Sequence, residues 1–245
     1  MTNIKKVAMW SGPRNISTAL MRSFENRPDT AVSDEPFYSF FLKQTKIRHP
    51  IYKEVIEKYD SSWDSVTKTL TSPNPNNKNI WYQKLMTHHW VDNQSLEWTE
   101  NLSNCFLIRN PKEVIISYLK IHKDINPTLI GLPQQLHILN YIIKKTKKNP
   151  IVISSEDILK NPKLMLNKLC NLLEIPFLNQ MLEWPRGSRN SDGIWGEYWY
   201  KNVIETTSFS KPKQKKEELP DDFHALLDEC MGYYKQIEKY KINLT

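Results

Sequence analysis

Val7-Ala8-Met9-Trp10-Ser11-Gly12-Pro13-Arg14-Asn15-Ile16-Ser17-Thr18-Ala19-Leu20-Met21 is the stretch that decides how this chain is read. Val7 to Trp10 form a short apolar run suited to a buried strand, Gly12-Pro13 makes a turn, and Ser17 and Thr18 open a helix. A helix start leaves its first backbone N–H groups without intrahelical partners, and these, together with the positive end of the helix dipole, attract a phosphate. Arg14 adds a charged donor able to grip two anion oxygens, and the hydroxyls add more. Ser11, Gly12, Pro13, Arg14, Asn15, Ile16, Ser17 and Thr18 are therefore read as an anion-binding loop. The loop is not of the ATP type: Ser17, Thr18 and Ala19 stand where GxxxxGK[ST] requires Gly, Lys and Ser/Thr. A purely structural turn capped by Ser and Thr is the competing reading.

Outward from this loop, short β-branched or aromatic runs recur at Lys6 to Trp10, Thr30 to Ser33, Asn79 to Gln83, Asn104 to Arg109 and Ile151 to Ser154. Segments of helical periodicity separate them, clearest at Ser17 to Glu25, Lys112 to Ile121, Pro133 to Lys147, Pro162 to Leu173 and Asp221 to Tyr240. Strand alternating with helix predicts an α/β fold, a three-layer sandwich around a central parallel sheet of about five strands. The 245 residues, 39% of them hydrophobic, suit one domain spanning 1–245. The N-terminal apolar run is far short of the roughly 20 residues that span a bilayer, so a cytoplasmic protein is expected. Cys105, Cys170 and Cys230 lack zinc-ligand spacing and read as reduced core residues. The net charge of +7 suits an anionic partner, although Lys-rich pieces such as Lys211 to Lys216 read as solvated.

A second device follows in Cys105-Phe-Leu-Ile-Arg109-Asn110-Pro111-Lys-Glu-Val-Ile-Ile-Ser117. An Arg at a strand end and a Ser eight residues on, along the next helix, can converge on one anion. Taken together, the two motifs resemble those of the sulfotransferases that use 3′-phosphoadenosine 5′-phosphosulfate (PAPS). The first is similar to their 5′-phosphosulfate loop, closest to the Pro-Arg-Ser-Gly-Thr-Thr form of tyrosylprotein and related sulfotransferases, with Asn15-Ile16 in place of Ser-Gly. The second resembles their 3′-phosphate motif, with Arg109 and Ser117 at its contact positions and Asn110 in place of Asp. Ile153-Ser-Ser-Glu-Asp-Ile-Leu and the segment to Phe177 resemble the strand, turn and helix that come next. The resemblance implies a P-loop-like sulfotransferase fold and a metal-independent, in-line transfer of a sulfuryl group from PAPS to a hydroxyl or amine.

Such a transfer requires neutralised oxygens and a base for the acceptor proton. Glu35, in Ser33-Asp34-Glu35-Pro36, follows Arg14 by 21 residues, the spacing of arginine and catalytic glutamate in the proteins it resembles. Glu35 is thus expected to be the general base, ahead of Asp34, with helix N-capping as the bland alternative for either. Lys84 ends the third strand where the family often has Lys-Asp-Pro, and is expected to stabilise the bridging oxygen. Of His88 and His89, at most one is expected to face the site, as a second candidate base. Arg14 completes the catalytic set.

Three glycines cluster between Gly187 and Gly196, marking an irregular loop. The loop from Arg186 to Trp195, and the stretch from Trp199 to Phe209 after it, occupy the chain position where family members fold a late segment over the nucleotide, which implies Arg186 or Arg189 at the 3′-phosphate and Trp195 on the adenine. Thr206 or Thr207 would touch the sulfuryl oxygens. The expected partner is a small-molecule acceptor held by Tyr38 to Lys58 and Asp124 to Gln135, with no nucleic acid and no membrane; a homodimer is left open. Competing readings are a non-catalytic protein that binds 3′-phosphoadenosine 5′-phosphate and a kinase-like P-loop protein.

Overall fold

The computed structural model describes residues 4–122, 124–210 and 217–243. Its sheet contains β1 (Lys5–Ser11), β2 (Thr30–Asp34), β3 (Ile80–Met86), β4 (Ser103–Ile108) and β5 (Ile151–Ser154). All are parallel, in the order β2-β3-β1-β4-β5. Each strand falls on a run named above, and β3 continues beyond Gln83 through Lys84 to Met86. Lys211 to Lys216 lie outside the described residues.

Helices fill the connections: α1 (Ser17–Glu25), α2 (Tyr38–Thr45), α3 (Tyr52–Lys58), α4 (Trp63–Thr71), α5 (Pro111–Leu119) and α6 (Pro127–Ile130). After them come α7 (Leu132–Thr146), α8 (Ser155–Lys160), α9 (Pro162–Leu172), α10 (Gly196–Trp199), α11 (Lys201–Ile204) and α12 (His224–Glu238). Period-two alternation in the strands makes the three layers. Ala8 and Trp10 of β1, with Phe106 and Ile108 of β4, pack on one face against Ile138 and Leu139 of α7 and Ile237 of α12. Val7 and Met9, with Cys105 and Leu107, pack on the other against Leu20 and Phe24 of α1 and Leu166 of α9. The cysteines are buried and free, as read from their spacing. No helix among the described residues is long and apolar enough to cross a membrane.

The strand order sets the site. From β1 the chain goes to one side for β2 and β3 and to the other for β4 and β5, so the crevice opens at the carboxyl end of β1. Register places Lys84 of β3 between Asp34 of β2 and Met9 of β1. The end of β4 delivers Arg109, and Asn110 caps α5 by accepting from Lys112 N at 2.9 Å, with Pro111 at the first helical position. Asn thus performs the capping that Asp would.

Candidate active site

A cavity of about 440 Å³ occupies the carboxyl end of the sheet. At one end lies the loop between β1 and α1. Gly12 is required there, because a Cβ at this position would stand 2.4 Å from the Ile130 carbonyl oxygen. Arg14 (φ 64°) and Ile16 (φ 58°) take left-handed conformations, and α1 begins without a side-chain cap. Its first N–H groups are therefore left for a ligand. Arg14 Nε donates to Ser117 Oγ at 2.9 Å, and Arg109 Nη1 donates to the Arg14 carbonyl at 2.7 Å. The two motifs are thus joined into one cationic wall. Arg109 also lies 3.5 Å from the half-exposed Glu113, whereas Arg14 pairs with no carboxylate among the described residues. Burial and the neighbouring Arg109 both lower the Arg14 pKa, the mark of cationic charge that lacks its counterion.

The opposite wall is built on β2 and β3. Lys84 Nζ donates to Asp34 Oδ1 (2.9 Å), Glu35 Oε1 (2.8 Å) and the Tyr200 hydroxyl (2.6 Å). Glu35 follows β2 in a left-handed conformation (φ 44°), its N–H on the Lys84 carbonyl, which turns its side chain to the cavity beside Lys84. Neither Asp34 nor Glu35 caps a helix: α2 starts at Tyr38 after Phe37, with no side-chain cap. Burial raises the Glu35 pKa against the opposing pull of Lys84, with Asp34 adding to the rise. The two carboxylates in turn raise the Lys84 pKa in spite of its burial.

His88 and His89 both line the cavity, which corrects the expectation that at most one would. The chain leaves β3 in a 3-10 turn, Thr87–His89, instead of continuing extended, so neighbouring side chains do not alternate across a sheet. Their ring planes lie 65° apart. Burial lowers the His88 pKa to about 3 and His89 well below its ordinary value. A neutral imidazole so reluctant to take a proton is a poorer base than a carboxylate raised toward neutrality.

Other expected residues fall elsewhere. Ser11 is buried with its hydroxyl toward Met86 Sδ at 3.7 Å, and Gly12 supports the loop from beneath; neither lines the cavity. Pro13, Arg14, Asn15, Ile16, Ser17 and Thr18 do, with Arg109 and Ser117. Trp195 does not: it is an interior side chain packed at 4.9 Å on Tyr38 and 5.0 Å on Tyr59, so it offers no face to an adenine. Arg186 is exposed and ion-paired with Glu205, and Arg189 is spent on the Pro185 and Ser188 carbonyls and on Glu25. Neither lines the cavity. Thr206 does, and Thr207 instead accepts through its carbonyl from Trp184 N. Of the two stretches expected to hold an acceptor, the first contributes Tyr38 and His49 to the lining and Asp124 to Gln135 contribute nothing; Tyr118, Ile121 and His122 line the cavity as well. Within the stretch Trp199 to Phe209, Tyr200, Asn202, Val203, Ser208 and Phe209 line the cavity without having been singled out, and Tyr118, Ile121 and His122 were missed altogether. For the late stretch, the aromatic run Trp199-Tyr200 was the available signal.

The model of the sulfotransferase domain matches residues 5–240. The chain belongs to the sulfotransferase domain family. In fold, this family member is similar to the sulfotransferase domain from the curacin biosynthetic pathway, with TM-score 0.56 and 15% identity, covering 98% of this chain and 99% of that one. It is likewise similar to the sulfotransferase domain of the Synechococcus PCC 7002 olefin synthase, with TM-score 0.57 and 12% identity over 96% of each chain. Two Arabidopsis thaliana proteins, branched-chain-amino-acid aminotransferase-like proteins 1 and 2, are each 32% identical to it, over 98% and 92% of this chain. The matches cover 43% and 40% of those relatives, so this sulfotransferase-family chain spans about two fifths of their length.

Proposed function

We propose that the chain transfers a sulfuryl group from PAPS to a hydroxyl or amine of a small acceptor. The observation that carries this reading is one cavity with two arginines at one end, Arg14 without a carboxylate partner and Arg109 beside it, and a base-and-ammonium pair at the other. Arg14, the N–H groups at the start of α1 and the hydroxyls of Ser17 and Thr18 suit the 5′-phosphosulfate. Arg109 and Ser117 suit the 3′-phosphate. Charge-assisted bonds of this kind are worth about 1.5–3 kcal/mol each.

Glu35 takes the acceptor proton as the acceptor oxygen or nitrogen forms its bond to sulfur. The bond from sulfur to the 5′-phosphate oxygen breaks at the same time, and its electron pair leaves with the bisphosphate. Lys84, held at the cavity wall by Asp34, Glu35 and Tyr200, offsets through its charge the negative charge developing on that bridging oxygen, a contribution of a few kcal/mol in a site shielded from water. Tyr38, His49, Tyr118, His122 and Trp199 wall the acceptor side with rings 4.8–5.9 Å apart.

Thermal unfolding with 3′-phosphoadenosine 5′-phosphate tests the donor assignment. At 100 times Kd the bisphosphate should stabilise the protein by about 2.7 kcal/mol. A response to ATP with Mg²⁺ and none to the bisphosphate would overturn it in favour of a kinase-like protein. Bisphosphate binding without turnover of labelled PAPS would instead leave a non-catalytic binder.

A further inference from the structure

The Lys84 ammonium has three protons, and the structure gives all three an acceptor: Asp34 Oδ1, Glu35 Oε1 and the oxygen of Tyr200. Tyr200 reaches this point from the junction of α10 and α11, on a segment remote in sequence from β2 and β3. Its own single proton faces Asp34 most closely, with the two oxygens at 2.7 and 2.8 Å, and has Glu35 Oε1, the oxygen already bonded to Lys84, as a longer alternative at 3.2 Å. Its oxygen also accepts from Trp195 Nε1 at 3.2 Å. Asp34 is completed by the Gly193 N–H on Oδ2 at 3.1 Å. The consequence for the neighbouring carboxylate follows by elimination. Asp34 has both oxygens engaged, whereas Glu35 commits Oε1 to Lys84 and leaves Oε2 with His89 Nε2 at 3.9 Å, beyond a hydrogen bond.

We propose that Tyr200 is a positioning residue for the transfer: its hydroxyl holds the Lys84 ammonium in place and saturates Asp34, so that Glu35 is the carboxylate left with an oxygen open to the cavity. The proposal rests on the sulfuryl-transfer reading above. Lys84 sits on a flexible four-carbon stem, so the place of its charge at the cavity wall is fixed by what holds its three protons, and it acts on the bridging oxygen through that charge. Removing one of the three holders lets the ammonium swing toward the two carboxylates. Misplacing a reacting partner by about 1 Å costs on the order of 100-fold in rate.

The test uses Tyr200→Phe, which keeps the ring against Trp195 and removes only the hydroxyl. In ¹⁵N-labelled protein comprising residues 1–245, the Lys84 ammonium protons should exchange with water about tenfold faster in the variant than in wild type, the equivalent of one lost hydrogen bond to a charged group. Transfer of labelled sulfuryl from PAPS is followed in parallel with phenol, tyramine and glucosamine as acceptor probes. There kcat should fall about 10- to 100-fold while the affinity for 3′-phosphoadenosine 5′-phosphate stays within about twofold. Asp34→Asn, which keeps the shape of the cluster but weakens the acceptor that orients Tyr200, should move both readouts the same way. It serves as the second variant if Tyr200→Phe does not fold. Unchanged proton exchange, unchanged kcat, or a loss of kcat matched by an equal loss of bisphosphate affinity overturns the proposal. Failure of the wild type to bind the bisphosphate overturns the sulfuryl-transfer reading and, with it, this role for Tyr200.

Discussion

The two ends of the cavity handle positive charge in opposite ways. Arg14 is a partly buried cation whose nearest charged neighbour is another cation, Arg109, and burial and that neighbour both work against its charged form. Lys84 is more deeply buried, yet two carboxylates hold its charge in place and leave an excess of acid around it. An arginine lacking a counterion costs stability until an anion arrives, so part of the anion's binding energy comes from relieving that cost. A lysine already paired contributes little to binding. What it supplies is an ammonium of fixed position, ready where negative charge develops during reaction. On the proposed sulfuryl transfer one end serves affinity and the other rate, and charge removal should separate them.

Glu35→Gln should give the largest effect. It removes the one carboxylate with a free oxygen at the site and should lower PAPS turnover by about 10²–10⁴-fold, with bisphosphate affinity retained. Steady-state kinetics beside calorimetry checks the pair. The pH dependence has a defined sign. Because burial raises the folded-state pKa of Glu35, folded protein holds this proton more tightly than unfolded chain. Its contribution to stability is fully present below the ordinary glutamate value near 4.5 and is lost as pH rises through the raised value. Turnover, which needs the deprotonated form, should rise over that same interval. Glu35→Gln should flatten the stability slope there, and an unchanged slope in urea unfolding at graded pH would contradict the assignment.

Lys84→Met comes next and breaks the comparison from the other side. Removing the cation leaves Asp34 and Glu35 facing each other with no neutralising partner, and loss of one member of a buried pair costs about 3–5 kcal/mol. Urea unfolding should show that loss near neutral pH. It should shrink in acid, where the carboxylates protonate.

Arg14→Met should act with the opposite sign on stability. Here the substitution removes one of two adjacent cations, so unfolding stability should hold steady or rise slightly. Bisphosphate affinity should fall about 10- to 100-fold, the worth of one or two charge-assisted bonds. A drop in stability comparable to that of Lys84→Met would erase the distinction between the two ends.

Legibility in the sequence follows the same division. The arginine end is local: Gly12 to Thr18 lie on one strand-to-helix junction and Arg109 to Ser117 on another, so residue type and spacing were enough to mark them as candidates, which the fold brings to one cavity. The parallel sheet was legible too, because strands buried on both faces appear as short apolar runs between helical segments. The reactive end is assembled across the fold. Glu35 and Lys84 could be named singly, but their pairing comes from the β2–β3 register, and Tyr200 joins them from 116 residues beyond Lys84. The late segment misled for a related reason. Trp195 has the residue type expected of a base-stacking platform, yet Gly193, where a Cβ would stand 2.1 Å from the indole, leaves room for it to fold inward, where it packs on Tyr38 and Tyr59 and donates to Tyr200.

The smallest effect should come from Ile16→Gly. A β-branched residue in the left-handed region costs about 1–2 kcal/mol relative to glycine. By that measure alone the substitution should stabilise the loop, and it would install the glycine of the Pro-Arg-Ser-Gly-Thr-Thr form that this chain resembles. But Ile16 is partly buried against the apolar layer that holds Leu20 and Met21, and truncating it removes roughly 1.5–3 kcal/mol of burial at most. The terms nearly cancel, so stability should shift by less than about 1 kcal/mol. Bisphosphate affinity should stay within about threefold, because the backbone N–H groups at the start of α1 keep their places. Affinity that rises well beyond this would show that Ile16 holds the loop short of its binding conformation. The anion end would then depend on loop shape as well as on uncompensated charge.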